Sequence, residues 1–178
     1  DSLVALVKMV SPVLSFTAEE MWAAMPAIAR DADSVHLSSW YVENPEFINA
    51  ELDSKWDKII KLRKEVNKVL EKARQGENRI IGNSLDAEVS LFIGNDEYKS
   101  LLADKELLEM IFIISKLNIV ETKDDSFTES EELKDISIKV AHATGEKCER
   151  CWKYSEELGT HEEHSTICPR CTGVLVNN

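Results

Sequence analysis

The segments Cys148-Glu-Arg-Cys151-Trp152 and Cys168-Pro-Arg-Cys171 contain all four cysteines of this 178-residue chain. Two residues separate the cysteines within each pair, and sixteen residues lie between the pairs. Two sulfurs at this spacing can reach one ion from a single tight turn, and two such turns supply the four thiolates of a tetrahedral structural Zn²⁺ site. The spacing therefore predicts one zinc ion bound by Cys148, Cys151, Cys168 and Cys171.

Other uses of the four cysteines fit the sequence less well. A disulfide framework requires an oxidising compartment, and the first residues do not form a charged-then-apolar signal peptide. A thioredoxin-type redox site needs only one pair, within a βαβ pattern. His161 and His164 lie between the pairs and could replace a cysteine, but four thiolates favour reading them as surface residues. Because a closed four-sulfur shell has no position for water, the predicted zinc is structural rather than catalytic.

Charge is distributed unevenly along this acidic chain. The formal net charge of −12 argues against a general nucleic-acid-binding protein. Residues 51–83 nevertheless hold nine basic and six acidic side chains, and residues 147–178 hold four and five. Because the attraction of phosphates falls off over about 8–10 Å at physiological salt, a polyanion is expected to meet these two regions.

The apolar pattern predicts an α+β chain in three segments. Residues 1–50 form a helical segment, in which Thr17 and Glu20 fit a capping box. Residues 51–145 begin with a long basic helix that ends at Gln75-Gly76, followed by a small mixed α/β unit with a three-stranded sheet. Residues 146–178 form a four-cysteine zinc-ribbon or knuckle module.

Three runs of residues predict the strands of that sheet. Residues 87–93 alternate between apolar and polar side chains, the run 110–120 is apolar at its start, and residues 136–142 alternate again. Between the last two runs, the segment 121–135 holds seven acidic side chains and is predicted to be a mobile surface loop.

Features of the whole chain bear on its location. No apolar run approaches the ~20 residues that span a bilayer, so no membrane partner is expected. Four reduced thiols that bind zinc suit a cytoplasmic protein. The chain starts at Asp1 without a methionine, which suggests part of a longer protein.

Two stretches carry a resemblance to a known family. Val140-Ala-His-Ala-Thr-Gly-Glu-Lys-Cys-Glu-Arg-Cys-Trp152, together with the second cysteine pair, resembles the C-terminal zinc module of bacterial-type isoleucyl-tRNA synthetase. Ser11-Pro-Val-Leu-Ser-Phe-Thr-Ala-Glu-Glu-Met-Trp22 is similar to the late helix pair of that family's anticodon-binding domain. Similar segments, such as Ile81-Gly-Asn-Ser-Leu-Asp-Ala87, extend over nearly the whole chain.

This resemblance implies the C-terminal part of an enzyme that charges isoleucine tRNA with the use of ATP. The family's nucleotide-binding core, with its His-Ile-Gly-His and Lys-Met-Ser-Lys-Ser motifs, does not occur in these residues. ATP is therefore expected only in the absent catalytic domain, and the chain itself is expected to be catalytically silent. The implied partners are isoleucine tRNA, docked by its anticodon stem-loop, and the enzyme's own catalytic and anticodon domains.

The implied docking role selects eight candidate RNA-binding residues. Unpaired loop bases can stack on aromatic or guanidinium planes, while lysine and arginine hold phosphates. Trp152 directly follows the first zinc knuckle. The full set is Trp152, Arg150, Arg170, Lys147 and Lys153 around the knuckles, and Arg63, Lys64 and Arg74 on the basic helix.

Several of these candidates have a structural alternative. Trp152 could cover the small core beside the zinc. The knuckle arginines could donate to the sulfur ligands or to the backbone. The lysines of the basic helix could form a solvated face.

Two other functions compete with RNA docking. The first is a purely structural zinc domain that packs on its parent enzyme. The second is a DNA-repair module, because formamidopyrimidine-DNA glycosylase carries a zinc finger of the same layout. That enzyme places a basic, arginine-bearing hairpin between its cysteine pairs, whereas residues 152–167 here hold one lysine, no arginine and four glutamates. DNA is therefore not an expected partner.

Overall fold

A computed structural model describes residues 2–76 and 79–176 of the chain. The chain divides into two compact units, Asp1–Asn49 and Ala50–Asn178. The helices are α1 (Ser2–Val10), α2 (Ser15–Ala24), α3 (Ala50–Arg74), α4 (Asp96–Lys99), α5 (Lys105–Phe112) and α6 (Pro169–Val176). The strands are β1 (Ala87–Ile93), β2 (Lys116–Val120), β3 (Thr128–Glu129), β4 (Ile136–His142), β5 (Glu146–Lys147) and β6 (Tyr154–Ser155).

The first unit is held together by a small core between α1 and α2. Val7, Ala18 and Trp22 are fully buried in it. The indole Nε1 of Trp22 donates a hydrogen bond to the Ala32 carbonyl at 2.9 Å, which satisfies the one polar atom of this buried ring. Trp22 is therefore a core residue, as the sequence predicts.

The capping box predicted at Thr17 and Glu20 is wrong. Helix α2 begins two residues earlier, at Ser15, and its N-cap residue Leu14 makes no side-chain cap. The turn that follows α1 leads directly into α2, so Thr17 already lies within the first helical turn. The neighbouring Glu19 instead accepts hydrogen bonds from the loop at 34–35.

The long predicted helix is present as α3 and provides one wall of the main core. Its buried side chains recur at helical spacing and pack against the sheet and α5. Gly76, with φ of +86°, allows the chain to leave the helix in the left-handed conformation that favours glycine. The buried apolar positions of α3 are Ile59, Leu62, Val66, Leu70 and Ala73.

The main sheet is mixed, with the strand order β2-β1-β4-β3. Strand β1 pairs in parallel with β2 and antiparallel with β4, and β3 pairs antiparallel with β4. Alternate residues of β1 are buried, as its sequence predicts. The α+β class is thus confirmed, and the sheet has a fourth strand, β3, that the sequence did not predict.

The second predicted strand is wrong in its first half. Residues 105–112 form helix α5, in which Leu108 and Phe112 face the core four residues apart. The Asp104 carboxylate caps this helix by accepting a hydrogen bond from Leu107 N–H, and Ile113, with φ of 57°, ends it. A short apolar run is compatible with either a helix or a strand, and here the cap decides in favour of the helix.

The acidic segment 121–135 is more than a loop, because it contains β3 and is tied to α3 by Glu65. The Glu65 carboxylate is 2% exposed, and its Oε2 accepts hydrogen bonds from Ser130 Oγ and from the N–H groups of Glu131 and Glu132. Its Oε1 lies 2.7 Å from Lys68 Nζ. A buried carboxylate with such partners fixes the loop in place.

We expect Glu65→Gln to destabilise the second unit by about 2–3 kcal/mol near neutral pH. Burial opposes ionisation of Glu65, but Lys68, Ser130 and the loop N–H groups outweigh it and lower the pKa to about 2. An unfolded glutamate has a pKa of about 4.3. The carboxylate therefore contributes its full stability above that value and loses it as the pH falls towards 2.

Urea unfolding of both chains at pH 7 and pH 3 measures this effect. The stability difference between wild type and Glu65→Gln should shrink by about half at pH 3. Glu132→Gln, which alters an exposed partner of Lys68, is the matched control and should change stability little. A difference that does not depend on pH would contradict the assigned role of the charge.

Among the described residues, no helix is both long and apolar enough to cross a bilayer.

Candidate functional site

The sulfur atoms of Cys148, Cys151, Cys168 and Cys171 all lie within 4.8 Å of one another. All four cysteines are free, and Cys151 Sγ lies 3.7 Å from Cys168 Sγ, too far for a disulfide. A tetrahedral zinc site with Zn–S bonds of about 2.3 Å requires sulfur–sulfur distances of about 3.8 Å. The donor set and its geometry therefore fit one zinc ion.

The local backbone explains how the two turns present their sulfurs. In the first turn, Cys148 N–H donates to the Lys153 carbonyl and Trp152 N–H donates to the Cys148 carbonyl, both at 2.9 Å. The second pair starts where α6 begins, and Cys168 N–H donates to Cys148 Sγ at 3.3 Å. N–H groups directed at sulfur are the usual outer contacts of a thiolate site.

The pKa values of three of the thiols are shifted by their surroundings. Burial opposes ionisation of Cys148, but N–H groups directed at its sulfur outweigh it and lower its pKa to about 6. Burial raises the pKa values of Cys151 and Cys168, and for Cys151 the three neighbouring thiols add to this rise. Four adjacent thiolates require a bound cation to balance their charge.

A small apolar core surrounds the cysteines. Leu158 and Ile167 pack against them from the segment between the two pairs. His161 and His164 stack on each other, with ring centroids 5.5 Å apart, and are not part of the four-sulfur group. Trp152 is exposed and is not among the partly buried side chains that pack against the cysteines.

The Trp152 ring projects from the knuckle into solvent. Its side chain is 62% exposed and borders an open concavity of about 410 Å³, which is lined by Lys147, Cys148, Glu149 and Trp152. Glu149 was not among the predicted site residues. Its place inside the first knuckle, next to Cys148, is the feature of the sequence that could have pointed to it. The concavity offers an aromatic plane flanked by one cation and one anion.

The backbone of Trp152 is strained. Its φ of 64° lies in the left-handed region, which costs a residue with a side chain about 1–2 kcal/mol relative to glycine. Glycine at this position would satisfy the turn at lower energy. The strained backbone and the exposed ring together favour a role for Trp152 outside the cysteine core.

The basic candidates around the knuckles have different surroundings. Arg150 Nη1 donates to Cys171 Sγ at 3.6 Å, which is the alternative contact considered for the knuckle arginines. Arg170 is exposed on α6, and Lys153 is half-buried. Lys147 Nζ lies 3.8 Å from Asp86 Oδ1 and 6.0 Å from the centre of the Tyr154 ring. Of the five candidates around the knuckles, only Lys147 and Trp152 line the concavity.

The candidates on α3 lie outside this concavity. Arg63 and Lys64 are exposed on the helix, whereas Arg74 Nη1 donates to Glu71 Oε1 at 2.8 Å.

Further along α3, two lysines form ion pairs with the acidic segment 121–135. Lys68 Nζ lies 3.0 Å from Glu132 Oε1 and 3.3 Å from Glu131 Oε2, and Lys72 Nζ lies 3.6 Å from Glu131 Oε1. The positive charge of α3 is therefore partly neutralised near its C-terminus.

Two family models match this chain. The model described as the anticodon-binding domain of tRNA ligase matches residues 1–91, and the model described as a zinc finger found in FPG and IleRS matches residues 145–172. The second match covers both cysteine pairs. FPG and IleRS abbreviate the DNA glycosylase and the isoleucyl-tRNA synthetase named above.

Curated relatives resemble the chain over almost all of its length. It is 42% identical over 177 residues to an isoleucine–tRNA ligase of Desulforamulus reducens, which covers 98% of this chain and 19% of that protein. The ligases of Thermotoga petrophila and Geobacter sulfurreducens are each 40% identical, over 98% and 97% of the chain and 18% of their own lengths. The chain thus spans about a fifth of the relatives it matches, in their C-terminal region.

Proposed function

Since this chain belongs to the family of tRNA ligases that carry this anticodon-binding domain, we propose that it is the C-terminal, tRNA-docking part of an isoleucine–tRNA ligase. In this role it binds the anticodon stem-loop of isoleucine tRNA, while activation of isoleucine with ATP takes place elsewhere in the enzyme. The chain works in the cytoplasm. Its segments 1–50, 51–145 and 146–178 are the end of the anticodon-binding domain, a junction unit and a zinc module.

The observation that carries this proposal is the exposed, strained Trp152. An aromatic ring held away from the core, next to an open concavity, is a surface on which an unpaired base can stack. Hydrogen bonds of the knuckle fix the backbone on both sides of the ring, so little backbone freedom is lost when a base binds. Lys147 borders the same concavity and can approach the sugar–phosphate backbone of the stacked nucleotide.

Cys148, Cys151, Cys168 and Cys171 would hold a zinc ion that maintains this arrangement. When bound, the metal neutralises the thiolates and supplies the free energy that keeps the two turns together. The four cysteine sulfurs would fill all four positions of a tetrahedral zinc shell, which would leave no site for substrate. Two other residues contribute directly. Arg150 donates a hydrogen bond to Cys171 Sγ, and Trp152 exposes its ring to solvent.

Long-range attraction of the RNA comes from α3 rather than from the zinc module. The module is nearly neutral, with four basic and five acidic side chains in residues 147–178. On α3, Arg63 and Lys64 face solvent, whereas the acidic segment holds Lys68 and Lys72. Arg63 and Lys64 are the phosphate contacts proposed on α3, with Arg170 a further phosphate ligand at the zinc end.

We expect the double substitution Arg63→Ala/Lys64→Ala in the full-length ligase to weaken tRNA binding. For each phosphate contact that is lost, about one counterion fewer is released on binding. The slope of log K against log salt should therefore become less steep by about 1–2 in total. Filter binding of isoleucine tRNA over a series of salt concentrations measures this slope.

Lys72→Ala provides the matched control for that experiment. It removes one cation from the same helix, but one that already lies beside Glu131, so its slope should stay close to that of the wild type. Equal slopes for the double variant, the control and the wild type would exclude Arg63 and Lys64 as phosphate contacts.

A further inference from the structure

A serine hydroxyl joins the zinc module to the sheet. Ser115 lies between α5 and β2, and its own N–H donates to the Ala87 carbonyl in β1 at 3.1 Å. Its Oγ donates to the Leu85 carbonyl at 2.5 Å and accepts from the N–H of Tyr154 at 2.7 Å. Leu85 and Ala87 belong to the sheet side, and Tyr154 begins β6 of the zinc module, so the hydroxyl bridges the two parts.

Other contacts meet at the same joint. Ala143 N–H donates to the Asp86 carbonyl at 2.8 Å, and Lys147 Nζ lies 3.8 Å from the Asp86 carboxylate. The His142 ring packs edge-on against the Tyr154 ring with centroids 4.9 Å apart. Strand β4, the loop before β1 and the zinc module therefore converge beside Ser115, and the module is attached at several points.

The connection from this joint to the Trp152 ring is short. Tyr154 is two residues from Trp152, and the intervening Lys153 carbonyl accepts the N–H of Cys148 at 2.9 Å. The Trp152 N–H in turn donates to the Cys148 carbonyl. A shift of Tyr154 relative to Ser115 would thus move the knuckle and the ring with it.

We propose that Ser115 is a positioning residue for tRNA docking, which sets the direction of the Trp152 ring relative to the sheet. This proposal rests on the proposed function of Trp152. Serine suits the position because one hydroxyl donates in one direction and accepts from another. Alanine would leave the Tyr154 N–H and the Leu85 carbonyl without this partner, whereas threonine retains the hydroxyl.

The test compares Ser115→Ala, Ser115→Thr and Trp152→Gly in the full-length ligase. The readouts are the KM for tRNA in aminoacylation, the kcat and KM for isoleucine in pyrophosphate exchange without tRNA, and the zinc content. We expect Ser115→Ala to raise the KM for tRNA about tenfold, because the productive direction of the ring becomes less populated. Isoleucine activation and zinc content should stay at wild-type values, and Ser115→Thr should restore the KM.

The outcomes separate the two proposals. An unchanged KM for tRNA in Ser115→Ala, beside a raised KM in Trp152→Gly, would overturn the positioning role and leave the proposed function intact. An unchanged KM in Trp152→Gly would overturn the proposed function and, with it, the role of Ser115. Loss of zinc in Ser115→Ala would also overturn the positioning role, since the hydroxyl would then serve folding of the module.

Discussion

Substitution of Cys168 by serine is expected to unfold residues from about 146 onward while residues 51–145 stay folded. The apolar core of the zinc module consists of the cysteines with Leu158 and Ile167, too little to offset the entropy of ordering about 30 residues. Zinc binding supplies roughly 10–16 kcal/mol in comparable modules. The sheet, α3 and α5 have a separate, larger core that does not use the metal.

Hydrogen exchange resolved along the chain, together with limited proteolysis, measures this partial unfolding. Protection should be lost in β5, β6 and α6 but retained in β1, β4 and α3. His164→Ala is the matched control, because it alters a residue between the pairs that is outside the four-sulfur group. Unchanged circular dichroism and protease resistance after thorough chelation would contradict a structural zinc.

The second large effect is expected for Trp152→Gly in the full-length ligase. Loss of a stacked base costs about 1–3 kcal/mol, so the KM for tRNA should rise by roughly 5- to 150-fold. The KM values for ATP and isoleucine should not change, because those substrates bind elsewhere. Unlike most removals of a large side chain, this one should leave the zinc module as stable or more stable, because glycine adopts a φ of 64° without strain.

Trp152→Phe is the control for this substitution. It keeps an aromatic plane at the same strained backbone position and should retain most of the affinity for tRNA. Equal increases in KM for tRNA, ATP and isoleucine would instead show that Trp152 supports the whole enzyme, as a purely structural zinc domain requires. If Trp152→Gly weakens tRNA binding without lowering the stability of the zinc module, the ring serves binding and not folding.

The sequence predicts those elements whose local pattern has one interpretation. Strand β1 alternates strictly, and α3 has an apolar stripe and a terminal glycine, so both were predictable. The sequence predicts a strand from residue 110, where α5 still continues, because an apolar run of five residues fits both periods. Strand β3 has only two residues and pairs through its backbone with β4, a long-range contact that leaves no hydrophobic pattern.

The same distinction holds for the site. Cysteine spacing is local, and it predicts the four-sulfur group found in the structure. The sequence left Trp152 between core and surface, because its positive φ and exposure depend on the folded knuckle. Glu65 and Ser115 gave no signal at all, since each acts through backbone groups that are distant in sequence.

The most direct test of docking through an oriented ring is the salt dependence of tRNA binding for wild type and Trp152→Gly. Stacking releases no counterions, so the two plots of log K against log salt should be parallel, with the variant weaker at every salt concentration. Plots that coincide would show that Trp152 does not touch the RNA. Plots that converge at high salt would show that position 152 acts through charge, which would contradict a neutral platform shaped by zinc.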